Sequence, residues 1–309
     1  MTSPTTDAAR AHRAGLIYGL SAYLLWGVMP FYFKALAHVS AGEILAHRIV
    51  WSLLFLGVLV TALCRWPAIR AALADRRVLL VLVATSVLIA INWLVYILAV
   101  VTGHVLEGSL GYYLNPLFNI LLGVVLLGEK LSRAQVAATA LAAAGVAVLA
   151  AGAGSGLWIS LTLAVSFGSY GYLRKVVKVD ALEGLTIESA MLAPVALGWL
   201  WWLGAQGGGG PLAWDGVTLT LLMLGGAITA IPLLLFTAAA RRLPYSTLGF
   251  LQYIAPSLQF LSAVLLFGEA LTTAHLICFG AIWTALAIFT VDGLRRAALA
   301  RRGPQESLA

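Results

Sequence analysis

Residues 112–131 read YYLNPLFNILLGVVLLGEKL, and residues 252–271 read QYIAPSLQFLSAVLLFGEAL. The two stretches align without a gap at an offset of 140, and the match runs on over 112–146 and 252–286. Tyr113/Tyr253, Pro116/Pro256, Gly128/Gly268, Glu129/Glu269, Leu131/Leu271 and Ala134/Ala274 are identical pairs. A second match sets LSAYLLWGVMPFYFKAL (20–36) against LTLAVSFGSYGYLRKVV (161–177) at an offset of 141. It keeps Gly27/Gly168 and Lys34/Lys175 in step. The chain therefore repeats itself once.

What repeats is membrane-spanning. Of the 309 residues, 61% are hydrophobic and 10% charged, with a mean hydropathy of +0.97. A soluble domain is nearer half apolar and a quarter charged. Apolar stretches fall at 15–37, 41–64, 78–101, 108–127, 134–152, 157–175, 186–206, 216–239, 246–267 and 274–293. Ten spans of roughly 20 residues use about two-thirds of the chain. Five spans per half is an odd number, so the second half enters the bilayer upside down relative to the first. The expected fold is an all-α polytopic membrane protein with ten transmembrane helices in two inverted five-helix repeats. The expected division is an N-terminus at 1–14, repeats at 15–152 and 153–293, and a tail at 294–309. The first apolar run is too long for a signal-peptide core and is expected to stay as a span.

Lys and Arg mark the orientation. Of the 19, 17 lie at the N-terminus, in the even-numbered connectors and in the tail. The opposite connectors hold none. By the positive-inside rule both termini are expected in the cytoplasm of an inner or plasma membrane. The net charge of +7 is thus first a topology signal. No RNP motif, zinc spacing or basic stripe with interleaved aromatics accompanies it, so no nucleic-acid partner is expected. Cys64 and Cys278 cannot make a disulfide framework. Both are read as small apolar packing residues toward opposite faces. Walker A, HExxH and G-x-S-x-G motifs are absent from the sequence, so no enzyme, cofactor or metal site is expected.

Ionisable and polar residues inside spans are the candidate site. Lys34 closes span one. Glu43, His47 and Arg48 open span two, with Arg48 about 10 Å deep at 1.5 Å per residue. Glu43 and His47 share a face, and Arg48 points elsewhere. Lys34 and Glu43 read either as an ion pair fixing the first hairpin or as part of a cavity wall. That wall would carry net charge +1 with His47 neutral, and it suits an anionic or zwitterionic solute. His47 or Glu43 could exchange a proton. Asn92 and Trp93 lie inside span three. Tyr112, Asn115 and Asn119 (i, i+3, i+7) line one face of span four around Pro116. Their repeat partners include Gln252 and Gln259, with Tyr253, around Pro256 in span nine. This face is either interhelical glue or a solute path, and the kinking prolines favour the path. Plainer readings fit Glu107 as a helix-start charge, Glu129 and Glu269 as turn and capping residues, and Trp199, Trp201 and Trp202 as an interfacial belt. Glu188 is read as the repeat partner of Glu43, hydrated at the cytoplasmic edge.

The blocks YLLWGVMPFYFKAL, EILAHRIVWS, INWLVYILAV, LEGSLGYYLNPL, FGSYGYLRKVV, PLLLFTAAARRLPYSTLGFLQYIAP and IWTALAIF resemble the RarD (chloramphenicol-sensitive protein) group of the EamA transporters, in the drug/metabolite transporter superfamily. The resemblance runs from about Gly15 to Asp292. It implies a ten-helix inner-membrane permease that exports metabolites or drugs on an ion gradient. Trp26, Pro30, Lys34, Glu43, His47, Arg48, Asn92, Trp93, Glu107, Asn115, Pro116, Gln252, Tyr253 and Pro256 fall in the group's blocks. The expected function is a secondary active permease working by alternating access, driven by an ion gradient such as protons. Its partners would be a small-molecule solute and the lipid bilayer, and the chain would act as a monomer or weak homodimer. A passive channel of the same fold and a non-transporting membrane partner or sensor are the other readings.

Overall fold

The computed structural model describes residues 4–36, 38–101, 105–151, 157–206, 214–267 and 273–302, all helix or connector with no strand among them. The helices are α1 (Pro4–Gly27), α2 (Met29–Ala35), α3 (Ala41–Ala62), α4 (Trp66–Ala74), α5 (Arg76–Val101), α6 (Val105–Leu127), α7 (Arg133–Ala150), α8 (Leu157–Val176), α9 (Ala181–Ala205), α10 (Gly216–Ala240), α11 (Tyr245–Gln252), α12 (Ile254–Phe267) and α13 (Thr273–Arg302). Glu269, the glycine-rich connectors at 152–156 and 207–211, and the side chain of Glu107 lie outside the described residues.

Eight helical stretches among the described residues are long and apolar enough to cross a bilayer. This is a multi-pass membrane protein. Large apolar side chains such as Val58, Leu80 and Val195 are about 70% exposed on the outside of the bundle, a pattern that a lipid solvent favours. Two expected spans fall outside the eight. Ser, Gly and Tyr at 166–172 dilute α8, and its last turn carries Arg174 and Lys175. The ninth stretch is broken at Tyr253 into α11 and α12. The first is also interrupted, at Val28, where Pro30 opens α2, a position that suits a residue without an N–H. The connector after α3 holds the short α4, whose Ile69 and Ala72 are buried against α5 and α9.

Sequence-encoded caps set the helix starts. Ser40 Oγ accepts from Glu43 N at 3.3 Å, and Asp215 Oδ1 accepts from Thr218 N at 2.7 Å. Ser132 and Gln135 form a reciprocal capping box on α7. Each satisfies a first-turn N–H that the helix leaves unpaired.

The arginine-rich connectors gather at one end, hereafter the basic end, where polar bonds join helices that are distant in the chain. Arg65, after α3, bonds Glu183 and reaches Asp180 at 2.8 Å. Arg241, after α10, bonds the other Asp180 oxygen and donates to Val179 O at 2.9 Å. Lys175 Nζ donates to Ala240 O at 2.7 Å and to Leu243 O, capping the negative end of α10. Glu129 acts as a cap, but on another helix: its carboxylate accepts from Tyr245 N, Ser246 N and Ser246 Oγ at the start of α11. Gly128, at φ +66°, makes the turn that aims it. Cys64 departs from its expected packing role. It is exposed at φ +52° because α3 ends two residues earlier, whereas Cys278 is fully buried in the core.

Arg241, with Arg65 beside it, holds the Asp180 carboxyl below the usual Asp range. A depressed folded value adds stability that is complete above the unfolded value near ~3.9 and is lost as pH falls through the folded one. Asp180→Asn should therefore lower the unfolding temperature slightly at neutral pH, as an exposed network dictates. The gap to the parent should narrow as pH falls through the lowered folded-state value of Asp180. Thermal unfolding at neutral and acid pH checks this, and a gap that persists in acid contradicts it.

Candidate functional site

A cavity of about 520 Å³ opens among α1, α2, α3, α5, α6, α8, α10, α11 and α12. Its lining includes Leu36, Val39 and Ala41 around the α2–α3 connector, and no residue of the described connectors at the basic end. The cavity therefore reaches the end opposite the arginines. Among the described residues its walls carry seven aromatic side chains (Tyr23, Trp26, Phe33, Trp93, Tyr96, Tyr112 and Phe167), and Asn92, Asn115, Thr229, Gln252 and Gln259 add uncharged polarity. Arg48 is the one charged residue in the lining among the described residues.

The helical period selects these residues. Ala41, Ile44, Leu45 and Arg48 form an i, i+3, i+4, i+7 stripe of α3 on the cavity. Arg48 Nε donates to Thr229 Oγ1 at 2.8 Å. Its guanidinium carbon lies 5.4 Å from the Phe33 ring centroid and 5.6 Å from that of Trp93, both within cation–π range. Tyr96 and Tyr112, with ring centroids 5.4 Å apart, lie within its electrostatic reach. Gly225 leaves room for the Arg48 stem: a Cβ there would stand 3.1 Å from Arg48 Cγ. Among the described residues no carboxylate lies within 4.0 Å of Arg48. One hydrogen bond and two ring faces leave most of its five donors available.

The uncharged polar residues also hold helices together. Asn92 Nδ2 donates to Leu163 O and Ser166 Oγ, both at 3.0 Å. Asn115, with its amide nitrogen turned toward α8, donates to Leu163 O at 3.2 Å and Ala164 O at 3.1 Å. Gln259 Nε2 donates to Trp26 O at 2.9 Å. Pro116 and Pro256 cannot donate to the carbonyls of Tyr112 and Gln252, four residues earlier. Both of those residues line the cavity.

Five of the sequence candidates sit off the cavity wall. Glu43 and His47 occupy the other face of α3, buried against Trp214 and Trp51. Trp214 Nε1 donates to Glu43 Oε1 at 2.8 Å, Trp51 Nε1 donates to His47 Nδ1 at 3.2 Å, and His47 Nε2 lies 4.0 Å from Glu43 Oε1. Lys34 is exposed, since Met29, Phe33 and Leu36 turn the other face of α2 inward. Asn119 lies one turn below the cavity and donates to Gln252 Oε1 at 2.6 Å. Tyr253 is packed in the core at the α11–α12 break. Trp26, Arg48, Asn92, Trp93, Tyr112, Asn115, Gln252 and Gln259 are brought together.

Glu188 departs from its expected hydrated edge position: it is 1% exposed. The helix α9 starts at Ala181, not 186, so Glu188 lies two turns inside. The starts of α3 (Ala41) and α9 (Ala181) are 140 residues apart, the offset of the main repeat. That register pairs Glu43 with Glu183 and Arg48 with Glu188.

Tyr23, Phe33, Tyr96, Phe167 and Thr229 were not among the sequence candidates. Two had a signal. Tyr96 is i+4 from Asn92, and Phe167 is the repeat partner of Trp26, whose ring it meets at 5.7 Å. Thr229 had none, because a lone hydroxyl on an apolar helix says nothing of its partner.

A helical membrane bundle around an aromatic-walled cavity with a few polar groups is the build of a small-solute transporter. Residues 13–151 match the EamA-like transporter family. A protein of Vibrio cholerae serotype O1 named as an uncharacterized transporter is 46% identical, over 98% of this chain and 99% of its own. Protein RarD of Streptomyces exfoliatus is 46% identical over 95% of this chain and 93% of its own. A crystal structure with 22% identity superposes at a TM-score of 0.71 over 94% of this chain and 99% of that one, which shows the same fold. The chain belongs to the EamA transporter family and, within it, to the RarD group.

Proposed function

We propose that the chain is a secondary active permease that moves a small anionic solute with an apolar or aromatic body. It would do so by alternating access between two inverted halves of five spans, at 15–152 and 153–293. The observation that carries this reading is Arg48: a cation without a carboxylate partner among the described residues, between ring faces in a cavity that reaches one end of the bundle. The rings would take the solute's apolar body and the guanidinium its anion, a geometry that suits a planar carboxylate.

Helix packing supports the inverted halves. The pairs α3–α9, α6–α11 and α7–α13 each join equivalent elements of the two halves. The pair α1–α10 is matched by α8–α5, α10–α3 by α5–α9, and α6–α8 by α12–α1. Exchanging the halves thus maps each of these contacts onto itself or onto another of them. A fold with such an exchange can adopt the mirror arrangement, open at the opposite end. With the basic end in the cytoplasm, the cavity faces outward, and the Arg65–Asp180–Arg241 network closes the inner side. An ion gradient, such as that of protons, would drive export, with both termini cytoplasmic in an inner or plasma membrane.

Thermal shift on purified protein with phenylacetate, phenylacetamide and phenylethylamine tests the solute class, since these probes share a body and differ in charge. The anion should stabilise the parent and leave Arg48→Ala unmoved. Equal stabilisation by the amine would overturn the anionic assignment.

A further inference from the structure

The register that pairs Arg48 with Glu188 places opposite charges at equivalent positions of the two halves. Arg48 bonds a threonine on α10. Glu188 Oε1 accepts from a threonine on α5, Thr85, at 2.5 Å. In the arrangement open at the basic end, the mirror cavity would present Glu188 where Arg48 now stands. We propose that Glu188 carries the coupled proton, an inference that rests on the permease reading and assigns its driving ion to one carboxylate.

Three observations support it. First, Glu188 sits in a small, switchable network. Tyr170 OH donates to its Oε2 at 3.3 Å, and Arg174 Nε lies 3.6 Å from its Oε1. Arg174 is fully buried, and its Nε and Nη1 have no hydrogen-bond partner among the described residues. Its Nη2 donates to the carbonyls of Asp180 and Ala181 at the start of α9. Gly184 admits it, since a Cβ there would stand 1.9 Å from Nη1. The charge on Glu188 therefore helps hold α8 against α9 at the closed end.

Second, among the described residues Glu188 has one charged neighbour, Arg174. α5 presents Thr85, α8 presents Tyr170 and Arg174, α3 presents Ser52 and α10 presents Thr229. The short α4 contributes apolar Ile69 and Ala72 to that side. On its own helix, Glu183 is engaged by Arg65 one turn and more away. Third, the space between Glu188 and the cavity is not completely filled. A void of about 10 Å³ lies between Glu188 and the cavity, walled in part by the hydroxyl residues Ser52, Ser189 and Thr229. That is about the room one water needs. Trp93, Thr229 and Leu233 border both the void and the cavity.

The step balances simply. A proton from the outer solution bonds to a Glu188 oxygen, and the carboxylate becomes a neutral acid. Arg174 loses its counter-charge, which is costly for a buried cation, and the closed end loosens. After that end opens, the O–H bond breaks and the proton passes to water there. The recharged carboxylate then recovers Arg174 and closes the end again.

Double electron–electron resonance tests this with spin labels at Arg70→Cys and Arg133→Cys, exposed positions at the basic end, in a Cys64→Ser background. Distances are measured in nanodiscs at mildly acidic and alkaline pH. The parent should shift its distance distribution on acidification. Glu188→Gln should hold the acid distribution at both pH values, and Glu188→Asp should restore a pH response. A pH shift in Glu188→Gln equal to the parent's overturns the proposal, as does a parent that does not respond. Loss of the response in His47→Gln with its survival in Glu188→Gln moves the proton to the outer hairpin and also overturns it. Phenylacetate counterflow on the same parent protein judges the permease reading separately: flux without a pH response sinks only the proton assignment, and absence of flux sinks the permease reading.

Discussion

Arg48→Ala should abolish solute movement while the protein still folds. Truncating one member of a desolvated charge pair costs about 2–5 kcal/mol, on the order of 30- to 3,000-fold in affinity. The anion of the bound solute would face Phe33 and Trp93 rings alone, and ring faces repel negative charge. Folding should survive because Arg48 makes one side-chain hydrogen bond among the described residues, to Thr229. Thr229 keeps a second bond to Gly225 O at 2.7 Å. Arg48→Lys should recover only part of the flux, since an ammonium keeps the charge but loses the planar fork. Flux into proteoliposomes and the unfolding temperature of each variant are the checks. Normal flux in Arg48→Ala would make this arginine a structural residue and place the site elsewhere.

Gly226→Ala should be the most damaging single-methyl change to stability. A Cβ at Gly226 would lie 2.3 Å from the Trp51 carbonyl carbon and 2.7 Å from Ser52 N. Both are backbone atoms of α3, so no side chain can swing away. Ser52 Oγ donates to Gly226 O at 3.0 Å across the same crossing, and separating the helices lengthens that bond. Overpacking costs of about 1–3 kcal/mol, with the upper end expected for backbone contacts, should lower the unfolding temperature by several degrees. Small residues at such crossings let transmembrane helices approach closely. Gly280→Ala on α13 is the matched control, because nothing lies within 4 Å of a Cβ there. It should be neutral or stabilising by up to ~1 kcal/mol. Equal unfolding temperatures for the two variants would contradict the packing account.

Composition and the 140-residue repeat already carry the membrane class, because lipid exposure writes hydropathy directly into the chain. The interrupted elements were less legible. The sequence α8 dilutes its apolar run with Ser166, Gly168, Ser169 and Gly171, residues whose smallness serves close packing: a Cβ at Gly171 would meet Tyr245 OH at 2.3 Å. Depth in the membrane exposed Arg48, since a cation seven residues into a span needs a reason. Glu188 is hard to place from sequence because hydropathy starts α9 at 186, whereas the helix begins at Ala181. Five residues of helix turn an edge position into a buried one. The neighbours Glu43 and His47 carry the same polar signal as Arg48, and only the rotation of α3 separates them from the cavity. Thr229, Phe33 and Tyr23 are determined by tertiary approach, which a single sequence does not record.

Counterflow in proteoliposomes tests the central claim most directly, with the parent and Arg48→Ala reconstituted side by side and labelled phenylacetate outside. The expected result is saturable uptake in the parent, accelerated by unlabelled phenylacetate inside and lost in Arg48→Ala. Uptake that is equal in the two proteins, or that neither saturates nor responds to solute on the far side, would contradict an alternating cavity built around Arg48.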